Sequence, residues 1–217
     1  MLAESYLSHV PWFTHQPAPL RAAMMVQMRR VSLAAGQTAY LEGDEDTGLW
    51  IVLDGLLRLE LPVGNDRAAL IGFMAGGSVF GRSRSGGAAT RIVSARAARP
   101  TQALLLSDRA MDRIAADHPH MWRALSEAVH GQLDAALVAL AQQLTLGAPA
   151  RVAERLRQVA QADLAAISQF DLAELTGLSR KAVNAHLAQL EARGLIARGY
   201  RRIAITDAAG LAAVAGE

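Results

Sequence analysis

The chain of 217 residues has no cysteine, so it holds no disulfide, thiolate metal site, iron–sulfur cluster or thiol redox switch. Aromatic residues make up only 5% of it, and lysine occurs once, at Lys181, so nearly every positive charge is an arginine. No apolar run approaches the length that spans a bilayer. The stretch from Met1 to Phe13 lacks the basic region and apolar run of a secretory leader. These absences predict a soluble, cytoplasmic protein. The remainder is ordinary for a globular chain: 52% hydrophobic and 19% charged residues, enough for one large domain or two small ones with a buried core.

The net charge is only +2, and its placement says more than its size. From residue 148 onward nine bases (Arg151, Arg155, Arg157, Arg180, Lys181, Arg193, Arg198, Arg201, Arg202) face seven acids (Glu154, Asp163, Asp171, Glu174, Glu191, Asp207, Glu217), which accounts for the whole excess. Several of the bases cluster at 180–181 and 198–202, and clustering is what a polyanion feels.

The text changes character along the chain. Residues 20–30 read as a short amphipathic helix. From Val31 to Leu106, short apolar runs (49–53, 56–61, 70–74, 103–106) alternate with turn signals at Gly43-Asp44, Asp54-Gly55 and Gly64-Asn65-Asp66, the spacing of a small antiparallel sandwich or barrel. After Ser107-Asp108, an N-cap signal, the pattern turns helical, and Asp117-His118-Pro119 can start a second helix. Between Met121 and Leu146 the apolar residues Trp122, Leu125, Val129, Leu133, Ala136, Leu140 and Leu144 form a narrow stripe close to a heptad repeat. A partner helix from a second copy is the simplest cover for it; the alternative is a helix lying along its own domain. Gly147-Ala148-Pro149 reads as a hinge and 150–160 as a third helix.

Residues 171–191 carry the strongest local signal. Ala173, Gly177 and Val183 supply a close helix crossing, a tight turn and a packing contact, with Leu172, Leu175, Leu178 and Leu187 as a small core. The second helix is capped by Ser179, and a two-stranded hairpin turning near Gly199 follows. This is the design of a winged helix-turn-helix. Arg180, Lys181 and Asn184 stand at the start of the second helix, where Arg or Lys suits guanine and Asn suits adenine. Ser179, Thr176, Arg201 and Arg202 are candidates for phosphate contacts.

With these motifs in hand, the chain resembles the Crp/Fnr family of bacterial transcription regulators over nearly its whole length. The resemblance is carried by Leu41-Glu42-Gly43-Asp44, Leu49 to Gly55, Gly77-Ser78-Val79-Phe80-Gly81, the long helix and Leu178 to Val183. It implies an α+β fold: an N-terminal antiparallel β-roll (a double-stranded β-helix), a long dimerisation helix and a C-terminal winged helix-turn-helix. The corresponding segments are a cyclic-nucleotide-binding-like sensory roll over 1–117, the dimerisation helix and hinge over 118–147 and the DNA-binding domain over 148–217. It also implies a homodimer through helix 118–146 on a palindromic operator in double-stranded DNA. Any regulation is expected as a rotation of the winged domains about residues 146–150, biased by whatever occupies the roll, and RNA polymerase is a further expected partner. Lys181 stands where the family usually has a glutamate and Ala185 where a second arginine is common, so a different operator is expected. His186 is expected to be half-buried and satisfied.

The glycine-rich stretch Gly76 to Gly81 reads as a generic anion nest, with a helical turn near Phe80-Gly81 adding its positive end. In family members that bind cyclic AMP a glutamate accepts from the ribose, and an arginine beside a hydroxyl residue holds the phosphate. Here Arg82 occupies the glutamate position, and Arg91-Ile92 occupies the pair. Arginine only donates, so the ribose hydroxyl would be mismatched, at a cost on the order of 1–3 kcal/mol. Ala136 and Leu137 offer no hydroxyl where the family draws one from the long helix. Gly81, Arg82, Ser83 and Arg91 are therefore a degenerate ligand cassette. Arg82, Arg84 and Arg91 leave open a more highly charged anion or an acidic partner segment; the other readings are a roll that takes no small ligand and, against the site chemistry, ordinary cyclic AMP.

Other chemistry is weak. Gly76-Gly77-Ser78-Val79-Phe80 misses the nucleophile elbow at Phe80, and no phosphate-loop or dinucleotide fingerprint occurs, so an enzyme is not expected. His118 and His120 lack the carboxylates of a metal site. No cofactor is expected, although haem stays open beside His9, His15 and His130.

Overall fold

The structure is a computed structural model that describes residues 6–64, 67–84, 90–199 and 202–216. In chain order the elements are α1 (Pro11–Thr14), α2 (Ala18–Gln27), β1 (Arg29–Leu33), β2 (Thr38–Tyr40), β3 (Gly48–Pro62), β4 (Ala68–Ala75), β5 (Val79–Arg82), β6 (Ser94–Ser107), α3 (Asp108–Asp117), α4 (His120–Thr145), α5 (Ala148–Val159), β7 (Ala160–Gln161), β8 (Leu164–Ala165), α6 (Gln169–Thr176), α7 (Arg180–Ala192), β9 (Ile196–Gly199), β10 (Arg202–Ile205) and α8 (Ala208–Ala215). Contacts divide the chain into two compact units that part between Ala135 and Ala136, inside α4.

The first unit is built on an antiparallel sheet in the order β1-β6-β3-β4, with β2 also paired to β6 and β5 to β3. Its spine is β3, buried on both faces, which is why 49–53 reads as a continuous apolar run. Leu49, Ile51 and Leu53 face one core, where Leu7, Phe13, Leu20, Met24, Met111, Ile114, Met121 and Leu125 close over them. Trp50 and Val52 face the other, with Tyr40, Leu57, Phe80 and Ala95. Asp54-Gly55 is not the expected turn. The strand runs through it, and its register with β6 shifts there. Gly55 takes φ +107°, and a Cβ on it would lie 2.5 Å from Thr101 Cα, so a bulge with close backbone approach needs the glycine.

Ser107 caps α3, accepting from Ala110 N at 3.3 Å as expected. The start of α4 is pinned by Trp12 Nε1, which donates to Ala124 O at 2.7 Å, and its Met121, Ala124, Leu125 and Ala128 are buried. Leu125 thus belongs to the core of the roll and not to the exposed stripe. Farther along, Val129, Leu133, Leu137, Val138, Leu140 and Leu144 are all exposed.

In the second unit α5, α6, α7 and α8 pack around Val152, Leu156, Leu172, Val183, Leu187, Leu190 and Leu211, beside a four-stranded sheet in the order β7-β8-β10-β9. The two-residue strands β7 and β8 and the short helix α8 carry no signal in the sequence pattern. The end of α4 belongs to this unit: Gln142 Nε2 donates to Glu154 Oε1 at 3.2 Å, Gln158 Nε2 to Gln142 Oε1 at 3.1 Å, and Arg155 Nη2 to Ala139 O at 3.4 Å. The Gly147–Pro149 corner, expected as a hinge, is therefore spanned by side-chain hydrogen bonds.

Candidate nucleic-acid interface and roll cassette

Two caps and one glycine set the helix-turn-helix. Ser168 Oγ accepts from Asp171 N at 3.0 Å and starts α6. Gly177 ends it at φ +65°, the left-handed conformation a glycine adopts without strain. Ser179 Oγ accepts from Ala182 N at 3.2 Å and starts α7. Ala173 is buried at the crossing, and Val183, Leu187 and Leu190 hold α7 inward. Ser179, Arg180, Lys181, Asn184 and Ala185 are left exposed, gathered on the N-terminal half of α7. No ion pair among the described residues uses Arg180 or Lys181, so both cations and the positive end of the helix are available to an anion.

The remaining candidates divide. Thr176 is not a phosphate contact: it is fully buried, and its Oγ1 donates to Leu172 O at 2.7 Å, tying down the last turn of α6. Arg202 is exposed at the start of β10. Arg201 lies outside the described residues. His186 is half-buried with Nδ1 3.4 Å from Gln189 Oε1, the satisfied histidine expected. Arg198, one of the clustered bases, is engaged with Glu191, and its hydrogen bonds hold that carboxyl below the usual range.

The cassette in the roll departs from expectation. Residues 79–82 form strand β5 against β3, with Phe80 opposite Trp50, and no helical turn begins there. The backbone donors are consumed rather than converging: Gly77 N donates to Val52 O at 2.8 Å, Ser78 N to Ala75 O at 3.0 Å and Gly81 N to Gln132 Oε1 at 3.1 Å. Gly81 is required by its φ of +138° and by the approach of the Gly48 carbonyl. Arg82 is exposed.

The carboxylate of Asp108, at the first position of α3, is the hub beside it. Ser83 Oγ donates to Oδ1 at 2.6 Å, Thr47 Oγ1 donates to Oδ2, Arg84 N lies 3.3 Å from both oxygens, and Arg84 Nε is 3.8 Å from Oδ2. Arg91 is only 3% exposed; its Nε donates to Asp46 O at 2.9 Å, and its guanidinium carbon sits 3.7 Å from the centre of the Tyr40 ring. Burial lowers the Arg91 pKa against the opposing pull of Tyr40, Asp44 and Asp108. Burial pushes the Tyr40 phenol up to about 12, and Arg91 offsets part of that rise. No sequence motif marks Asp108, Tyr40 or Gln132 as part of this site. Asp108 reads there only as part of a helix start, and nothing in its spacing signals Thr47 or Ser83.

Residues 30–118 match the cyclic nucleotide-binding domain, and residues 150–214 match the Crp-like helix-turn-helix domain. The HTH-type transcriptional regulator Cmr of Mycobacterium tuberculosis is 30% identical over 193 residues, 88% of this chain and 78% of that protein. The chain belongs to the Crp/Fnr family of transcription regulators. Like its Crp/Fnr relatives it is a regulator and not an enzyme. Another relative, the CRP-like cAMP-activated global transcriptional regulator of M. tuberculosis, is 27% identical over 204 residues, 88% of this chain and 90% of that one. The Crp/Fnr fold is shared with the solved structure of FixK2 from Bradyrhizobium japonicum, at a TM-score of 0.74 and 24% identity, covering 86% of this chain and 96% of that one. Among the described residues no helix is long and apolar enough to cross a membrane, and no three His, Asp or Glu side chains gather as a metal site.

Proposed function

We propose that this Crp/Fnr regulator acts as a homodimer on a palindromic operator, through the two α7 helices. The observation that carries the reading is the capped N-terminal half of α7, where Arg180, Lys181 and Asn184 are exposed together. Arg180 and Lys181 donate to guanine edges or phosphate, and Asn184 pairs with adenine. Ser179 keeps its hydroxyl proton for a phosphate, and Arg202 meets the backbone at the wing. The exposed Val129, Leu133, Leu140 and Leu144 support a partner helix along 118–146. Two-fold symmetry then sets half-sites about one helical turn apart.

The roll, in this reading, does not take cyclic AMP in the usual way. Its polar groups are satisfied from within: Arg91 by Tyr40 and Asp46, Ser83 and Arg84 by Asp108, and Gly81 by Gln132. A ligand phosphate would have to displace these partners, and Arg82 offers the ribose no acceptor. Titration calorimetry with cyclic AMP, cyclic GMP and cyclic di-GMP tests it. No heat of binding from cyclic AMP is expected, and micromolar affinity for it would overturn the reading.

A further inference from the structure

By charge alone, Arg198 belongs with the bases that approach DNA. Its contacts assign it elsewhere. Glu191, next to the last residue of α7, receives Arg198 Nε at 2.7 Å and Nη2 at 2.6 Å on Oε2, and Arg198 N at 2.9 Å on Oε1. Strand β9 is the edge of its sheet, so half of its N–H groups point away from β10. The Arg198 N–H is one of these, and the Glu191 carboxylate closes it. One carboxylate on the recognition helix thus holds both the backbone and the side chain of the wing strand. The two side chains are 34% and 36% exposed, so the pair lies at the surface and contributes little to the core.

We infer that Glu191 is a positioning residue for DNA binding, locking the wing to the C-terminal end of α7 and withdrawing Arg198 from phosphate contact. This rests on the reading of α7 and the wing as the DNA interface. That interface has two parts, the base-reading residues at 180–184 and the wing base at Arg202, and a duplex fixes the spacing between them. The hairpin is joined to α7 through the turn at Arg193-Gly194, and the Glu191–Arg198 bonds brace it beyond that turn. An acid on a surface that faces a polyanion is otherwise unfavourable, so simple electrostatics predicts that its removal strengthens binding to any DNA. The clamp predicts loss of selectivity instead.

The experiment uses the full chain and a duplex that the wild-type protein retains from a random-sequence pool, beside an unrelated duplex of equal length. Affinity is measured against salt for the wild type, Arg198→Ala, Glu191→Ala and the double variant. Each phosphate contact contributes about 0.9 to the slope of log affinity against log salt. For Arg198→Ala the slope on the retained duplex should match the wild type, while the preference over the unrelated duplex falls roughly two- to fivefold. Glu191→Ala frees Arg198, so the slope should steepen by about 0.9 as the preference falls, and the double variant should return the slope to its wild-type value. A slope shallower by about 0.9 in Arg198→Ala would show that Arg198 already contacts phosphate and would overturn the inference. So would tighter binding of both duplexes by Glu191→Ala with an unchanged preference. If Glu191→Ala failed to fold, the Arg198→Ala slope would still decide. If the wild type retained no duplex, the DNA-binding reading itself would fall, a result distinct from either of these.

Discussion

Replacing Asp108 with Asn tests whether the cassette is held shut from within. The substitution keeps the shape and removes the charge. Asp108 is 12% exposed at its side chain and accepts from two hydroxyls, Ser83 and Thr47, and from the backbone of Arg84. Hydrogen bonds to a charged acceptor are worth about 1.5–3 kcal/mol each, and a carboxylate in the first turn of a helix adds about 0.3–1 kcal/mol. Asn keeps one acceptor oxygen and turns a donor toward the other partner, so part of the set survives. The expected loss is about 1.5–3 kcal/mol, which for a unit of this size is a fall in melting temperature of roughly 4–12 °C. All three tryptophans, Trp12, Trp50 and Trp122, lie in the first unit, so intrinsic fluorescence reports the melting of the roll without the winged unit. The winged transition, followed by calorimetry, should not move. A fluorescence midpoint within about 1 °C of wild type would refute the view that Asp108 organises the cassette.

Other outcomes follow from the same structure. Arg180→Ala should weaken operator binding by roughly 1–3 kcal/mol and relax specificity at one base pair; unchanged binding in a mobility-shift titration would rule out the docking of α7 given above. Leu140→Glu places a charge in the exposed stripe twice per dimer and should raise the dimer dissociation constant by roughly a hundredfold or more in sedimentation velocity, with the fold intact. An unchanged constant would exclude that face as the interface. The raised Tyr40 pKa, from 10.0 to about 12, means that the folded roll favours the neutral phenol. Its contribution is complete below pH 10 and disappears as pH rises toward 12, a loss of about 2–3 kcal/mol at most. Tyr40→Phe should flatten that alkaline fall in denaturant midpoint, and an equally steep fall in the variant would place its cause elsewhere.

Much of this molecule is legible where its logic is local. The caps Ser107 and Ser179, the left-handed Gly177 and the inward Val183 each act within a few residues of where they stand, so sequence spacing suffices to see them. Asp54-Gly55 misleads because a turn and a bulge call for the same residues, and only Thr101 across the sheet decides between them. The short helix α8 carries only alanine, glycine, leucine and valine, a composition with little amphipathic contrast, and is held by Leu211 and Val214 packing inward. Thr176 reads as a polar residue beside a turn, yet its hydroxyl is spent on the helix that precedes it. Arg82 and Ile92 stand in plain view in the sequence, but the partners that Ser83, Arg84 and Arg91 find in the fold do not. Thr47 and Ser83 lie 61 and 25 residues from Asp108, and no local pattern joins them.

A dimeric regulator that reads a palindrome without cyclic AMP is tested by selecting duplexes from a random pool with the 217-residue chain, with and without cyclic AMP. The expected result is a retained sequence with two inverted half-sites whose centres lie about one helical turn apart, recovered equally in both conditions. Recovery only in the presence of cyclic AMP, or a retained sequence without inverted repeats, would contradict it.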